Sequence, residues 1–255
     1  MMLSHRVLSV AIFIVCILGG IALMLFSTYL IPICAALLGI VVILLVRFFM
    51  NADASVFDRV LYIVSPSFFF LSGIVFFTFL ERPVWQYLIL FSIAVVTVIY
   101  MENAYKFLWK LPEYQYSALS NVSSYMYLLT VFFVTVTVFD LQFFFGISTL
   151  MLMIIAVVFG LFIFYAYIRS QKVLLTSSKL YAVSFALLFI EMIYVLTFWP
   201  HIPLVKGVVT LAFVYGMMQM LFLSIRDSFQ TSKVIRTLGI VTFVLCLVLV
   251  TAQWK

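Results

Sequence analysis

Uninterrupted apolar runs of about twenty residues recur along the whole chain, and they constrain the fold more than any other feature. A helix needs about 20 apolar residues to cross the hydrocarbon core of a bilayer, which is roughly 30 Å thick, so each run predicts one membrane-spanning helix. The nine runs lie near 7–26, 32–50, 60–80, 84–104, 119–139, 142–168, 180–199, 204–225 and 236–254.

The composition excludes a water-soluble fold, because 67% of the 255 residues are hydrophobic and 9% are charged. Soluble domains carry about 25% charged residues. The runs are continuously apolar, whereas the strands of a membrane barrel alternate apolar and polar residues. We therefore predict an all-α fold, a polytopic transmembrane helix bundle of about nine spans that forms a single integral membrane domain over 1–255.

The basic residues predict the orientation of the bundle in a cell membrane. When successive loops are assigned to opposite sides, eleven Lys and Arg residues share one side, and Arg82, Lys206 and Lys255 remain on the other. Cytoplasmic loops carry an excess of Lys and Arg. We expect the N-terminus to be cytoplasmic and the C-terminus to lie outside.

Two segments of the chain resemble each other at a shift of 119 residues. Residues 61–65 read LYIVS and residues 180–184 read LYAVS, and Thr-Phe recurs at 78–79 and 197–198. Parallel repeats of this kind occur in transporters. The match predicts a 4+4+1 arrangement, with repeats over 7–104 and 119–225 and an extra span over 236–254. Chance identity in a chain so rich in Phe, Val, Leu and Tyr is the alternative, and the sequence leaves both open.

The segment between the two predicted repeats, residues 105–118, interleaves aromatic residues with Lys106 and Lys110. Aromatic and basic side chains are typical of segments at the level of the lipid headgroups. We expect residues 105–118 to form an interfacial linker that lies flat on the cytoplasmic leaflet.

Glu191 is an ionisable residue predicted to lie deep within a span, twelve residues after Lys179, which is about 18 Å along a helix. An acidic residue at mid-helix costs about 2.5 to 3.5 kcal/mol, so we expect Glu191 to face the bundle interior. Ser184 and Tyr194 are predicted to share its helical face.

These residues form a candidate substrate or proton site, to which we add two further polar residues. Gln219 in the eighth span can form hydrogen bonds across helices. Ser72 occupies the position of the first predicted repeat that corresponds to Glu191 in the second. Asp140 and Gln142 are instead predicted to form the turn between the fifth and sixth spans, because short polar residues favour turns.

The sequence contains no pattern for catalysis, for a cofactor or for a metal. A nucleophile with a base, a metal cluster or paired carboxylates would be needed, and no HExxH or GxSxG motif is present. We expect no enzyme activity, no cofactor and, in spite of the net charge of +6, no nucleic-acid partner, because a basic face on a soluble surface is missing.

Two classes of function remain open. One is a carrier for a small or lipid-like molecule through a pocket near Glu191, which the intramembrane carboxylate and the repeat favour. The other is a non-catalytic subunit or scaffold that packs against a membrane protein partner, which the scarcity of polar residues within the spans favours. Membrane lipids are expected partners in both.

Overall fold

The computed structural model describes residues 2–26, 29–49, 56–109, 116–171, 179–200, 202–225 and 230–251. Within these ranges the protein is all-helical, with nine helices long and apolar enough to span a membrane, which confirms the predicted fold class. The protein is a multi-pass membrane protein. The helices are α1 (Met2–Leu25), α2 (Leu30–Phe49), α3 (Val56–Thr78), α4 (Pro83–Leu108), α5 (Tyr116–Phe145), α6 (Thr149–Ser170), α7 (Lys179–Phe198), α8 (Pro203–Ile225) and α9 (Thr231–Thr251).

Helices α4 and α8 begin at Pro83 and Pro203. At the first position of a helix, proline removes no hydrogen bond, and its fixed φ angle suits the helix. Helix α4 continues to Leu108, past the predicted end at 104, and α5 begins at Tyr116. The first and last residues of the predicted linker over 105–118 therefore belong to these two helices, and its interfacial position stays a prediction. Its central part, 110–115, lies outside the described residues.

The turn between α5 and α6 is also displaced from its predicted position. Asp140 and Gln142 lie inside α5, and the turn is formed by Gly146 to Ser148. Gly146 has a φ of 63°, a left-handed conformation that glycine adopts without strain and that commonly ends a helix. The Ser148 hydroxyl then accepts a hydrogen bond of 3.4 Å from the backbone N–H of Met151 and caps α6.

The chain divides into two compact units, Met1–Met126 and Tyr127–Lys255, with the division inside α5. In unit 1, each of the helices α1 to α4 contacts the next one and α1 also contacts α4, which closes a ring of four helices. Gly19 lies against Leu37 of α2, and Gly20 lies against Leu90 of α4. Small residues at these positions let the helices approach closely.

One end of the unit 1 ring is filled by an aromatic cluster. Phe49 stacks on Tyr62 with ring centroids 5.8 Å apart, and Tyr105 stacks on Trp109 at 4.6 Å. Phe48 contacts Tyr105 at 5.9 Å and joins the two pairs. The aromatic residues at the end of α4 therefore pack on α2 within unit 1, where burial and ring contacts both stabilise the helix ends.

In unit 2, α6 and α7 pack closely through phenylalanine side chains. The rings of Phe164 and Phe185 are 5.5 Å apart, and those of Phe185 and Phe189 are 6.2 Å apart with nearly parallel planes. A Cβ atom on Gly160 would lie 3.1 Å from Phe189. Helix α8 contacts both α6 and α7, so these three helices form the core of the unit.

Helices α5 and α9 pack on opposite parts of α8. Gly207 of α8 lies against Val136 of α5, and Gly216 of α8 lies against Val241 of α9. Among the described residues of α9, Thr237 and Val248 are buried and the others are at least partly exposed. The single domain over 1–255 and the 4+4+1 repeat within it stay predictions, because a division by compactness does not test common origin.

Candidate functional site

Glu191 lies on the exposed side of α7, so the expectation that it faces the bundle interior is wrong. The buried residues Phe185, Phe189, Ile193 and Leu196 of α7 follow each other at helical spacing. Glu191 comes two residues after Phe189 and two before Ile193, and residues two apart on a helix do not share a face. The stripe of α7 that packs on α6 therefore turns Glu191 away from the core of unit 2.

The other four predicted site residues lie in different surroundings. Tyr194 is 50% exposed and contacts the ring of Phe198, and Ser184 is half-buried. Ser72 belongs to unit 1, where its hydroxyl donates a hydrogen bond of 2.9 Å to the carbonyl of Phe69. Gln219 lines a cavity of about 610 Å³.

We call this cavity, which lies between α8 and α9, the basic pocket. It has a volume of about 610 Å³, within the range of roughly 300 to 1,000 Å³ that small-molecule sites occupy. The residues that line it are Tyr215, Gln219, Phe222, Leu223, Lys233, Arg236 and Thr237. Two of these are cationic and none is acidic, so the described lining attracts a negatively charged group.

Helical spacing explains how the basic pocket is built. On α9, Arg236 and Thr237 follow Lys233 by three and four residues, and on α8, Gln219 and Phe222 follow Tyr215 by four and seven residues, so each set lies on one face. Lys233 lies in the first turn of α9, where its carbonyl accepts a hydrogen bond of 2.9 Å from the Thr237 hydroxyl. Both cations are exposed and can reach a ligand from outside the cavity.

The sequence alone pointed to Gln219 but not to the cations beside it. In the sequence, Lys233 and Arg236 indicate only the orientation of the spans, as basic residues after a span commonly do. Their spacing on one face of α9 is the signal that could have placed them in a site. It needed the knowledge that α9 packs on α8 through Gly216.

A second cavity, the turn cavity, lies at the other end of α8, where α5 meets the turn between α7 and α8. Its volume is about 650 Å³. The residues that line it are Phe139, Asp140, Gln142, Phe143, Phe144, Thr197, Trp199, Pro200, Ile202, Pro203 and Lys206. The described part of the lining is mostly aromatic and apolar, but it includes the carboxylate of Asp140 and the ammonium group of Lys206.

Lys206 is the most unusual residue of the turn cavity, because its side chain is only 8% exposed. Its Nζ atom lies 4.5 Å from the centroid of the Phe139 ring. A cation over an aromatic face gains roughly 2 kcal/mol when it is desolvated, which offsets only part of the cost of burying a charge. Among the described residues, no ion pair joins Lys206 to Asp140 or to another carboxylate.

Comparisons with protein-family models, with curated proteins and with solved structures find no match for this chain. The basic pocket offers two cations beside an apolar wall, and the turn cavity offers one buried cation and one half-buried carboxylate among aromatic rings.

Proposed function

We propose that this protein is a membrane carrier for a lipid-like molecule with an anionic headgroup, and that the headgroup binds in the basic pocket. The observation that carries this proposal is the meeting of Lys233 and Arg236 with Phe222 and Leu223 in one cavity between two membrane helices. The proposal keeps the carrier function that the sequence suggested, but it assigns the binding site to α8 and α9 and not to Glu191.

The composition of the basic pocket fits both parts of such a molecule. Phosphate oxygens accept hydrogen bonds from the ammonium of Lys233 and from the planar guanidinium of Arg236, and the latter can hold two oxygens at once. Gln219 adds an amide donor. Phe222 and Leu223 lie beside these groups and offer apolar surface to the first part of an acyl or polyprenyl chain.

The proposed orientation places the basic pocket on the cytoplasmic side. Eleven of the 14 Lys and Arg residues, including Lys233 and Arg236, fall on the side assigned to the N-terminus. Basic pockets between membrane helices on this side are suited to acidic lipid headgroups. A reporter fused to the C-terminus should be active only outside the cytoplasm, and a cytoplasmic reporter would contradict this orientation.

The binding test compares two double variants that remove the same charge. Lys233→Gln with Arg236→Gln removes both cations of the basic pocket, and Arg47→Gln with Lys106→Gln removes two exposed cations of unit 1. Each basic residue near an acidic lipid contributes about 1 kcal/mol, so the first variant should bind short-chain phosphatidylglycerol roughly 25-fold more weakly. The second should match the wild type. Native mass spectrometry of the protein in maltoside micelles measures both.

The carrier role needs a second measurement, in vesicles that contain the purified protein. Fluorescent phosphatidylglycerol that starts in one leaflet should exchange into the other, where a membrane-impermeant quencher detects it. We expect the Lys233 and Arg236 double variant to slow this exchange and the unit 1 control to leave it unchanged. Equal exchange in the wild type and in protein-free vesicles would contradict the carrier proposal, whatever the binding result.

Glu191 favours a second candidate function, a non-catalytic subunit that docks on another membrane protein. It lies in the middle of an exposed stripe of α7, together with Leu187, Tyr194, Val195 and Phe198. A carboxylate that faces lipid is costly, and such groups usually pair with another polar group. The fitting partner is a membrane helix that presents a basic or amide side chain at the same depth.

This second function predicts that Glu191→Leu separates the protein from its partner. Crosslinking in intact membranes, followed by purification, should yield a stoichiometric partner with the wild type and little of it with Glu191→Leu. Leu187→Ala on the same stripe serves as a control for lost apolar contact. If Glu191→Leu retains the partner as well as the wild type does, the carboxylate does not take part in docking.

A further inference from the structure

We propose that the turn cavity binds a zwitterionic headgroup, in which a phosphate is linked to an ammonium group. This inference goes beyond the proposed function, because it concerns a different cavity and a different ligand class. It depends on the joint placement of Lys206, Asp140 and the aromatic rings around them. The basic pocket plays no part in the argument.

The packing of α5 on α8 brings the charged residues of the turn cavity together. Gly207 lies against Val136 and Phe132 of α5, and Lys206 directly precedes Gly207 in the chain. Phe139 comes three residues after Val136 and so lies one helical turn further along α5. This contact therefore positions Lys206 against Phe139, with Asp140 next in the chain.

Lys206 provides the anion-binding half of the site. Its side chain is more than nine-tenths buried, and its ammonium lies over the Phe139 ring without an ion pair to any described carboxylate. A buried cation is stable when it is paired with an anion to which it donates hydrogen bonds. A phosphate in the turn cavity would supply that anion.

Asp140 and the aromatic residues provide the cation-binding half. Asp140 is half-buried and lines the cavity with Trp199, Phe143 and Phe144. Aromatic faces attract quaternary ammonium groups, and Trp is the most effective residue. A carboxylate among such rings selects a cation, so an anionic ligand without an ammonium group fits this half poorly.

The two halves lie in one cavity of about 650 Å³, which is large enough for a headgroup. A ligand that carries a single negative charge would satisfy Lys206 but face the carboxylate of Asp140. A single positive charge would have the reverse problem. A zwitterion satisfies both groups at once, which is why we infer this class.

The experiment measures binding of dihexanoyl phosphatidylcholine to the full-length protein in maltoside micelles by isothermal titration calorimetry. Asp140→Asn and Lys206→Met each remove one charge with little change of volume. A hydrogen bond to a charged group contributes enough to change affinity roughly 10- to 100-fold, and we expect losses of this size for both variants. Saturable binding by the wild type is the first requirement, and its absence overturns the proposal.

Two control variants test whether the loss of affinity is specific to the residues of the turn cavity. Glu81→Gln with Arg82→Gln removes an acid and a base that are exposed in the turn between α3 and α4, and it should bind like the wild type. The Lys233 and Arg236 double variant should also bind like the wild type. If the Lys233 and Arg236 double variant loses as much affinity for dihexanoyl phosphatidylcholine as Asp140→Asn and Lys206→Met do, the lipid binds in the basic pocket and the proposal is overturned.

Two further ligands test the chemistry and identify its source. Dihexanoyl phosphatidylglycerol lacks the ammonium group, and it is measured in the Lys233 and Arg236 double variant so that the basic pocket does not contribute. There it should bind at least 10-fold more weakly than dihexanoyl phosphatidylcholine, and equal affinity of the two lipids in that variant overturns the zwitterion proposal. Free phosphocholine tests the source. If it competes with the lipid, a soluble zwitterion is sufficient, and if only the lipid binds, the cavity takes a lipid headgroup; both results support the shared chemistry.

The stability of Lys206→Met must be measured separately, because a change in a buried residue can disturb the fold. Thermal unfolding in the same micelles shows whether the variant is folded. Asp140 is half-buried and its Asn variant keeps the same shape, so it tests the site independently. Normal binding by a folded Asp140→Asn variant contradicts the proposal regardless of what Lys206→Met does.

Discussion

The basic pocket and the turn cavity lie on the same helix, have similar volumes of about 610 and 650 Å³, and differ in how their charges are held. Lys233 and Arg236 are exposed at the start of α9, whereas Lys206 is buried, with its ammonium over the Phe139 ring. Salt screens the electrostatic attraction between a ligand and exposed charges, but it screens the attraction to buried charges much less. The pocket is therefore suited to attract an acidic headgroup, and the cavity to distinguish between headgroups.

The largest expected effect on ligand binding comes from variants that force apart the helices lining each cavity. Gly207→Leu would force α5 away from α8, because even a Cβ atom at 207 meets Val136 and lies 3.2 Å from Phe132. Overpacking of this kind costs about 1–3 kcal/mol. We expect a lower unfolding temperature in micelles and loss of phosphatidylcholine binding at the turn cavity, with phosphatidylglycerol binding at the basic pocket retained.

Gly216→Leu is the reciprocal variant, since a Cβ atom at 216 would lie 3.1 Å from Val241 of α9. It should weaken phosphatidylglycerol binding and preserve the turn cavity. Gly239→Leu is the control, because nothing lies within 4 Å of the added Cβ atom at this exposed glycine. If Gly207→Leu and Gly216→Leu each reduce the affinity for phosphatidylglycerol and for phosphatidylcholine by the same factor, the two cavities are not independent sites.

A second prediction uses salt to sharpen the comparison. Raising the ionic strength from 0.01 to 1 M shortens the Debye length from about 30 to 3 Å. Binding of phosphatidylglycerol at the exposed cations of the basic pocket should weaken roughly 10-fold or more, since each cation contributes about 1 kcal/mol at low salt. Binding of phosphatidylcholine at the turn cavity should change less than 3-fold. Calorimetric titrations at both salt concentrations measure this, and equal salt dependence would contradict the difference in burial.

The helices were predictable from the sequence, but one of the turns was misplaced for a physical reason. Apolar length alone identifies the spans. Asp140 and Gln142 look like turn residues, yet the aromatic residues 143–145 continue α5 until Gly146 adopts its positive φ. The backbone conformation of glycine therefore ended the helix, and the polar side chains remained within it.

The candidate site was less predictable, because it depends on which faces of the helices meet. Gln219 was identified as a polar residue and does line the basic pocket, but Lys206 was counted only as a loop charge. Its burial results from the contact between α5 and α8, which is remote in sequence. Glu191 was placed by the rule that charges face inward, whereas the phenylalanine stripe of α7 decided the outcome.

A third, smaller effect concerns the end of unit 2 near the basic pocket. The hydroxyl groups of Tyr181 on α7 and Ser224 on α8 are 3.2 Å apart. Hydrogen bonds between membrane helices contribute about 0.6 kcal/mol on average. Tyr181→Phe should lower stability in micelles by this amount and weaken phosphatidylglycerol binding less than 3-fold, because Tyr181 does not line the pocket. Ser224→Ala should have the same effect, and the double variant should be no worse than either single one.

The smallest expected effect is that of Glu191→Gln on ligand binding. The side chain lies on the exposed face of α7 and lines neither the basic pocket nor the turn cavity. Titrations with phosphatidylglycerol and phosphatidylcholine should therefore both agree with the wild type within 2-fold. If the affinity for only one of the two lipids falls, Glu191 contributes to binding at the corresponding cavity. The carrier site would then include Glu191. Unchanged binding would leave the docking of a partner helix as the proposed role of Glu191, whose side chain is exposed on α7.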